Sequence, residues 1–382
     1  MSPSSAAALG YDLLVHPSQD VVVVGAGIIG CAIASELARR GARVRVFEAR
    51  SVAAGATQAS AGVLAPYIEA RERGPLLDLG IRSLAMYDAF VAQVMEESGV
   101  DIEYRRCGTL ELAVDPSARR QALPLDAADV RWITGDDARR LEPALPTSIE
   151  GALLAPAHGY VAVTALTEAL SWAALRHGVE IETGRRVTDI RRAAGHLRLK
   201  TDDGTIWEAP SVVLAAGSWS GAVGVTEPAA LDVRPIRGQL LRLGWRGVPI
   251  TRVLWGPDCY LVPRLDGTVL VGATVEEVGF DERATAAGVR DLLDAVCELL
   301  PEAWGATFLE ARVGLRPATT DGLPIIGPSE QLEGLVYATG HYRNGILLAP
   351  LTAALVADLI LDATIDPALH ATRAGRFGHP AC

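Results

Sequence analysis

A chain of 382 residues, of which 49% are hydrophobic, can bury a large core and favours two domains over one. Its formal net charge of −11 argues against nucleic-acid binding, because a phosphate-binding surface needs clustered cations. The five cysteines are scattered, without a CxxC pair or metal-ligand spacing, which favours a reduced, cytoplasmic protein that holds no metal. The first 17 residues lack the features of a signal peptide, and no uncharged apolar run of about 18 residues follows, so we expect no membrane partner.

Hydrophobic periodicity predicts alternating strands and helices, with a run of four valines as the central strand, buried on both faces. The predicted strands are Val21–Val24, Arg43–Glu48, Leu110–Val114, 179–182, 186–191, 196–200, Val212–Ala216, Gln239–Leu243, Cys259–Pro263, Thr268–Ala273 and Gly334–Ala338. The predicted helices are Ile28–Arg40, Leu76–Ser98, Thr164–His177, Ala287–Leu300 and Ile346–Leu361, with loops and a short helix near 125–142. The three strands from 179 to 200 are expected to form a separate three-stranded unit.

Three glycines directly after the valine strand form a G-x-G-x-x-G fingerprint at the start of the first helix. Gly25 permits the turn, Gly27 lets a pyrophosphate approach the backbone, and Gly30 lets helix and strand pack closely. The helix N-terminus adds unpaired N–H groups and a partial positive charge. Glu48, at the end of the second strand, can accept hydrogen bonds from both ribose hydroxyls, which disfavours a 2′-phosphate. The sequence thus predicts a Rossmann-type unit for FAD or NAD.

The segment that follows this unit distinguishes FAD from NAD. Residues 55–65 are nearly all small, which suits a chain that runs alongside a flavin, with Thr57, Ser60 and backbone N–H groups as contacts. A simple NAD dehydrogenase would more often continue into another crossover helix. We therefore expect FAD, with a glycine-rich loop that binds nothing as the plainer alternative.

Six sequence motifs resemble the D-amino acid oxidase superfamily, and within it the glycine oxidases of thiamine biosynthesis. The motifs are VVVVGAGIIG, GATQASAGVLAP, the pair CYLVPR and VGAT, GLRPATTDGLPIIG and YATGHYRNGILLAP, in the family's order. The resemblance implies a mixed α/β (α+β) fold in which a Rossmann-type FAD-binding domain with a parallel sheet interleaves with a substrate domain built on an antiparallel sheet. The implied ranges are 18–80, 150–230 and 305–370 for the FAD-binding domain, 81–149 and 231–304 for the substrate-binding domain, and 1–17 and 371–382 for tails.

The implied reaction transfers a hydride to FAD from the carbon next to nitrogen of glycine, sarcosine or a similar small amino acid. O₂ reoxidises the flavin and gives hydrogen peroxide, and the imine is hydrolysed to an oxo acid and ammonia. By their motifs, Arg316 matches the family's carboxylate-binding arginine, Tyr260 the tyrosine on the same carboxylate, and Arg343 a second arginine near the active site. Such a hydride transfer requires no general base.

The resemblance also implies how FAD is held. Gly314 and Leu315 stand where relatives of the monomeric sarcosine oxidase type attach flavin to a cysteine, so we expect non-covalent FAD. The last predicted helix would direct its positive end at the flavin, and His341 packs near the flavin or touches it. The residues predicted to contact FAD are Gly25, Gly27, Ile28, Ile29, Gly30, Glu48, Ala49, Arg50, Thr57, Ser60, Ala61, Gly62, Val187, Ala216, Gly217, Trp219, Arg316, His341, Arg343, Asn344, Gly345 and Ile346.

Other functions stay open at this point. The same carboxylate site could serve oxidative removal of an N-carboxymethyl group from a larger amine, and Val275, where some glycine oxidases carry methionine, would reshape the pocket. A second alternative is an FAD-dependent dehydrogenase with a non-oxygen acceptor. A third is a non-catalytic flavin- or NAD-binding protein, against which the presence of both Arg316 and Tyr260 argues. A homo-oligomer is expected only by analogy with related oxidases.

Overall fold

The computed structural model describes residues 19–69, 72–113, 130–225 and 231–377. The strands are β1 (Val21–Val24), β2 (Val44–Glu48), β3 (Val63–Leu64), β4 (Tyr104–Arg105), β5 (Thr109–Ala113), β6 (Arg131–Thr134), β7 (Gly151–Ala155), β8 (Gly159–Val161), β9 (Glu180–Thr183), β10 (Val187–Ala193), β11 (His196–Thr201), β12 (Ile206–Ala209), β13 (Ser211–Leu214), β14 (Gly224–Val225), β15 (Arg234–Gly244), β16 (Val253–Trp255), β17 (Tyr260–Pro263), β18 (Thr268–Gly272), β19 (Thr307–Ala318), β20 (Ile325–Pro328) and β21 (Leu335–Thr339). The α-helices are α1 (Ile28–Arg39), α2 (Pro66–Glu69), α3 (Pro75–Ser98), α4 (Gly135–Leu141), α5 (Val163–Arg176), α6 (Ala286–Leu299), α7 (Gly345–Leu361) and α8 (Leu369–Thr372). Short 3₁₀ helices lie at Ala56–Ala59, Gly217–Ala222, Pro301–Gly305 and Ala374–Phe377.

The first sheet has six strands in the order β20-β21-β13-β1-β2-β9, and every pair except β20–β21 is parallel. In β1, Val21 and Val23 pack with α1 on one face of the sheet. Val22 and Val24 pack on the opposite face, in a cluster that includes Trp207. Because both faces are covered, β1 consists of apolar residues only. The prediction of a central buried strand is confirmed.

Helices α1, α3, α5 and α7 pack together on the first face of this sheet. Pro350 lies inside α7 and has no N–H to donate to the carbonyl of Ile346. The hydroxyl of Tyr87, on α3, donates to that carbonyl instead. The hydroxyl of Ser83, also on α3, donates to the carbonyl of Leu347 over 2.6 Å. Helix α3 therefore fixes the first turn of α7, the turn that faces the candidate site.

A four-stranded sheet, in the order β12-β11-β10-β14, packs on the opposite face. The sequence analysis predicted one unit of three strands from residue 179 to residue 200, and this prediction is wrong. Strand β9 instead pairs in parallel with β2 at the edge of the first sheet. It follows α5 along the chain, whereas β10 and β11 form a hairpin around Gly195, whose φ is 80°.

The largest sheet has eight strands in the order β19-β15-β18-β17-β16-β5-β7-β6. Its pairs are antiparallel except β5–β16. A three-stranded antiparallel sheet, β3-β8-β4, completes the fold. The combination of a mostly parallel sheet under helices with a large antiparallel sheet confirms the predicted fold class.

The division into two interleaved domains stays a prediction. Strands β7 and β19 pair within the eight-stranded sheet, although the ranges 150–230 and 305–370 assign them to the FAD-binding domain. Of the two predicted tails, residues 1–17 lie outside the described residues. Within the second tail, the hydroxyl of Thr372 donates to the carbonyl of Ile326 over 2.8 Å, so this part packs on the first sheet. In the described part of the chain, no helix is long and apolar enough to cross a membrane.

Candidate active site

A cavity of about 540 Å³ lies at the carboxyl ends of β1, β2, β13 and β21 and reaches the eight-stranded sheet. Open α/β sheets bind their ligands at this end of the strands. Two of the predicted contact residues, Gly30 and Asn344, do not line the cavity. The predicted residues that do line it are Gly25, Gly27, Ile28, Ile29, Glu48, Ala49, Arg50, Thr57, Ser60, Ala61, Gly62, Val187, Ala216, Gly217, Trp219, Tyr260, Arg316, His341, Arg343, Gly345 and Ile346.

The fingerprint glycines shape one wall of the cavity. Gly25 has a φ of +107°, and a Cβ there would lie 2.5 Å from the carbonyl oxygen of Ala215. A Cβ on Gly30 would lie 1.9 Å from the carbonyl oxygen of Gly25, so Gly30 permits α1 to pack on the turn rather than contacting a ligand. Gly27 is the N-cap of α1 and lines the cavity. The turn therefore presents bare backbone and a helix N-terminus, which fits a diphosphate.

Side chains that line the cavity bond the backbone of this turn. The carboxylate of Glu48 accepts from the N–H of Ala26 and from the N–H of Arg50, each over 2.8 Å. The hydroxyl of Thr57 accepts from the N–H of Ile28 over 3.1 Å. These bonds hold Glu48 at the end of β2, where a ribose could meet its carboxylate. That ribose contact remains a proposal.

The segment of small residues, 55–65, connects the cavity to the eight-stranded sheet. Within the 3₁₀ helix Ala56–Ala59, the side-chain amide of Gln58 donates to the carbonyl of Val313 on β19 over 2.6 Å. A Cβ on Gly314 would lie 2.9 Å from the Cβ of Ala59, so larger residues would force the two apart. No cysteine occurs among the described residues that line the cavity, so none of them offers a thiol to the flavin.

Arg316 extends from β19 into the end of the cavity near the eight-stranded sheet. Its Nη1 donates to the carbonyl of Thr274 over 2.9 Å and to the carbonyl of Arg237 over 3.4 Å. The guanidinium lies on Gly238 of β15, where a Cβ would approach Nη2 to 2.2 Å. Burial lowers the pKa of Arg316, but a guanidinium remains charged at neutral pH. Arg316 is thus a fixed cation at this end of the cavity.

Tyr260 lies beside Arg316, on the neighbouring part of the same sheet. It is paired with Gly272 of β18, and a Cβ there would lie 2.4 Å from the tyrosine hydroxyl. The ring stacks on Trp255, with ring centroids 4.9 Å apart. Burial raises the pKa of Tyr260, while Arg316 and Arg343 act in the opposite direction. The phenol therefore stays protonated at neutral pH and can donate a hydrogen bond.

Arg343 forms an ion pair inside the cavity. Its Nε lies 3.2 Å from Oε2 of Glu69, and its guanidinium lies 5.5 Å from the centroid of the Trp255 ring. The sequence analysis did not find Glu69 or Trp255. Glu69 lies in the four-residue helix α2, and Trp255 in a three-residue strand, so neither carries a spacing signal.

The first turn of α7 reaches the cavity next to His341. Burial lowers the pKa of His341 to about 3, and its Nε2 lies 3.1 Å from the hydroxyl of Thr352. The neutral ring is therefore held by α7. Gly345 and Ile346 line the cavity, so the positive end of α7 faces it. Asn344 is the buried N-cap residue and contributes to the start of the helix rather than to the wall.

Residues 276–283, named here the 276–283 segment, contact the wall of the cavity near Arg50 and Trp219. The carboxylate of Glu282 lies 2.9 Å from the guanidinium of Arg50. The ring of Phe280 lies 5.7 Å from the ring of Trp219. The residues that the segment contacts, Arg50 and Trp219, line the cavity. This segment is a further contact that local sequence patterns did not indicate.

Val275 does not reshape the pocket as the sequence analysis expected. It does not line the cavity, and 57% of its surface is exposed. The preceding residue, Thr274, directs its carbonyl at Arg316, and Glu276, just after Val275, forms an antiparallel bridge with Arg237 of β15. The lining residues outside the predicted contact set are Val24, Phe47, Gly55, Ala56, Ala59, Val63, Glu69, Arg185, Arg186, Thr188, Ala215, Ser218, Ala222, Val223, Gly238, Trp255, Glu282, Gly314, Leu315, Pro317, Ala338, Thr339 and Tyr342, of which Gly55, Ala56, Ala59 and Val63 belong to the segment expected beside the flavin.

The residues of the cavity fit FAD. Two helix N-termini, those of α1 and α7, face it, and the fingerprint turn leaves room that a Cβ would fill. A carboxylate lies at the end of β2, and a cation with a phenol donor lies at the opposite end. Within residues 19–69, 72–113, 130–225 and 231–377, no three potential metal ligands cluster.

Comparison with known proteins gives a consistent result. The family described as FAD dependent oxidoreductase, DAO, matches residues 20–359. The chain is 37% identical over 351 residues to the glycine oxidase of Geobacillus kaustophilus, covering 89% of this chain and 92% of that protein. The crystal structure of glycine oxidase from the same species aligns with a TM-score of 0.87 and 33% identity, covering 94% of this chain and 99% of that one.

Two other similar proteins have names other than glycine oxidase. The bifunctional protein ThiO/ThiG of Synechocystis is 36% identical over 369 residues, which are 95% of this chain and 55% of that protein. The crystal structure of iminodiacetate oxidase (IdaA) from Chelativorans sp. BNC1 aligns with a TM-score of 0.82 and 28% identity, covering 93% and 98% of the two chains. The family match spans most of the chain, and the cavity has the features that FAD requires. This chain belongs to the DAO family of FAD-dependent oxidoreductases.

Proposed function

We propose that this FAD-dependent oxidoreductase is an oxidase of glycine, sarcosine or a similar small amino acid, with O₂ as the electron acceptor. The observation that carries the proposal is the position of Arg316 and Tyr260, named here the carboxylate pair. Both lie in the cavity that also contains the fingerprint turn and the N-terminus of α7. A protein that only stored FAD would not need a buried cation and a phenol donor at this place.

The carboxylate pair would bind and orient the substrate. The guanidinium of Arg316 can form two parallel hydrogen bonds with a carboxylate, and the hydroxyl of Tyr260 can donate a third. Both side chains are held against glycines of neighbouring strands, so they need little reorganisation on binding. The substrate's Cα–H bond is thereby directed to one place in the cavity.

The chemistry divides between the cofactor and the chain. When bound, FAD supplies the two-electron acceptor for the hydride that leaves Cα. The N-terminus of α7 offers positive potential to negative charge that develops in the cavity. His341 is neutral because burial lowers its pKa, and its Nε2 lies against the hydroxyl of Thr352, so this ring is a poor acceptor for a proton of the substrate amine. For glycine, the balance is glycine, O₂ and water giving glyoxylate, ammonia and hydrogen peroxide.

The similar proteins and the cysteines support three further parts of the proposal, namely the substrate class, the pathway and the compartment. Identity of 37% to a glycine oxidase supports a small amino acid as substrate. The resemblance to glycine oxidases of thiamine biosynthesis supports thiamine supply as part of the proposal. The described cysteines are unpaired, which supports a reducing compartment such as the cytoplasm.

A second candidate function has one observation in its favour. The iminodiacetate oxidase that aligns at 28% identity has, by its name, a substrate in which nitrogen carries two carboxymethyl groups. The carboxylate pair would serve equally well for removing an N-carboxymethyl group from a larger amine. The difference would lie in how much room the nitrogen substituent has.

The test is hydrogen peroxide release by the purified holoenzyme with glycine, sarcosine, D-alanine, D-proline and an N-carboxymethyl alkylamine. Rapid release with glycine or sarcosine is the expected result. Release with the alkylamine alone would replace the first function by the second. Bleaching of the flavin without peroxide would instead indicate a dehydrogenase with another acceptor. A colourless protein that takes up no added FAD would contradict the account altogether.

A further inference from the structure

We infer that Glu69 determines which charge a substrate can carry beyond its first carboxylate. It pairs with Arg343 and so restricts the site to monocarboxylates whose nitrogen substituent is neutral or cationic. This inference rests on the proposed function, because it assigns selectivity to the same site. It concerns a residue that the carboxylate pair does not include.

Among the described residues, the charges at the substrate end of the cavity add up to one. Arg316 and Arg343 are cations and Glu69 is an anion, and all three line the cavity. Both cations and Glu69 lie close enough to Tyr260 to act on its pKa. The other charged residues of the described lining lie toward the dinucleotide end and are Glu48, Arg50, Arg185, Arg186 and Glu282. The net positive charge at the substrate end therefore matches one carboxylate.

Glu69 offsets the positive charge of Arg343, the second cation at this end of the cavity. The ion pair spans 3.2 Å, and the two side chains are 32% and 15% exposed. The guanidinium also lies against Trp255, which stacks on Tyr260. Because the pair is partly buried, salt screens it less than a pair on the surface. A carboxylate that approaches Arg343 therefore comes close to the carboxylate of Glu69.

A second carboxylate on the substrate would meet this carboxylate at close range. Like charges that face each other in a binding site lower affinity strongly. A neutral or cationic nitrogen substituent would meet no such repulsion. Glu69 thus works by rejecting dicarboxylates rather than by gaining affinity for glycine.

The substitution Glu69→Gln removes the charge and keeps the shape. The substrate end then has two cations without an anion, which matches a dicarboxylate. We expect the ratio of the dissociation constants of acetate and malonate, measured by calorimetry on the oxidised holoenzyme, to shift toward malonate by at least about ten-fold. The ratio of kcat/KM for iminodiacetate and sarcosine should shift in the same direction. Glu69→Ala is the second variant and should produce the same direction of change.

Glu103→Gln is the matched control. Glu103 pairs with Arg264 over 3.4 Å, and their side chains are 18% and 16% exposed, but Glu103 does not line the cavity. Its variant should keep the wild-type ratios. FAD content measured for every variant shows that the cavity is intact.

The outcomes separate this inference from the proposed function. If amines are oxidised but Glu69→Gln and Glu69→Ala leave both ratios within about two-fold of the wild type, the inference is overturned and the function stands. If the binding ratio shifts but no amine is oxidised, the inference stands and the function fails. An equal shift in Glu103→Gln would also overturn the inference, because the effect would then not belong to the cavity.

Discussion

Arg316 and Tyr260 reach their positions only because the strand beside each of them carries a glycine. At Gly238, a Cβ would lie within 2.3 Å of three atoms of the Arg316 guanidinium. At Gly272, it would lie 2.4 Å from the hydroxyl of Tyr260. The geometry of the carboxylate pair thus depends on two residues that touch no substrate. Both are positioning residues.

We predict that Gly238→Ala displaces the guanidinium and weakens substrate use. Displacement by about an ångström can lower kcat/KM by up to about 100-fold. Steady-state kinetics with glycine and sarcosine measure the effect, and FAD content should stay at the wild-type level. Gly305→Ala is the control, because a Cβ there meets nothing within 4 Å. Equal kinetics for the two variants would contradict the positioning role.

We predict that Arg316→Ala raises KM and lowers kcat while FAD stays bound, because Arg316 contributes orientation as well as affinity. The loss in kcat/KM should be on the order of 100-fold or more, since a charge-assisted bidentate contact disappears. Arg312→Ala is the control on the same strand, where the arginine bonds Glu310 and does not line the cavity. Unchanged kinetics in Arg316→Ala would remove Arg316 from the site.

At the level of residues, local spacing predicts only part of the site. Gly25, Gly27 and Glu48 follow from a fingerprint within one strand-helix-strand unit, and all three line the cavity. Glu69 and Trp255 do not follow, because they meet Arg343 only after distant parts of the chain have folded together. A local sequence pattern contains no information about contacts between residues that are far apart in the chain.

At the scale of elements, we expect FAD retention to depend on the N-terminus of α1. We predict that Gly27→Leu yields protein with little FAD, because a branched side chain would occupy the space that the backbone leaves for the diphosphate. The ratio of flavin to protein absorbance measures this, with circular dichroism as the check of folding. Gly305→Leu is the control. A fully yellow, folded Gly27→Leu protein would contradict the fingerprint assignment.

We predict that the 276–283 segment makes a small contribution to the affinity for FAD. Glu282→Gln removes the ion pair with Arg50, whose two side chains are 37% and 33% exposed. Pairs as exposed as this contribute at most about 1 kcal/mol, so the dissociation constant of FAD should rise by no more than about five-fold. The difference should shrink at high salt. Asp291→Asn, at another exposed arginine pair, is the control, and equal FAD affinity in all three proteins would leave the segment without this role.

Hydrophobic periodicity predicts the long helices well, but it does not predict irregular or very short strands. Helices α1, α3, α5, α6 and α7 lie within about two residues of their predicted bounds. Strand β19 was missed, because residues 307–309 at its start are exposed and a register shift opposite Leu243 interrupts its pattern. Strand β16 has only three residues, and its parallel pairing with β5 gives no local signal. These two strands carry Arg316 and Trp255, so the missed elements lie at the site itself.

At the scale of the whole molecule, two buried histidines make stability depend on pH. Burial lowers the pKa of His158 and of His341 to about 3. A histidine in the unfolded chain has a pKa near 6.5, so as the pH falls below this value the unfolded chain binds protons that the folded protein does not. The free energy of unfolding should therefore fall with decreasing pH by up to about 1.4 kcal/mol per pH unit and histidine, until the pH approaches 3.

His158→Phe tests this pH dependence. Both ring nitrogens of His158 are without a hydrogen-bond partner in the described structure, and the ring stacks on Tyr67 with centroids 5.4 Å apart, a contact that phenylalanine can keep. Urea unfolding of the holoenzyme between about pH 7.5 and about pH 5.5 should show a smaller loss of stability in the variant. His370→Gln, at an exposed position, is the control. Parallel curves for His158→Phe and the wild type would exclude His158 as a source of the slope.

The central claim is that this molecule oxidises small amines that it holds by their carboxylate. The most direct measurement is anaerobic reduction of the bound flavin by sarcosine, compared with dimethylamine, which lacks the carboxylate but keeps the secondary amine. The account predicts that sarcosine bleaches the flavin and that dimethylamine at the same concentration does not. Equal bleaching by both amines, or no bleaching by sarcosine or glycine, would contradict it.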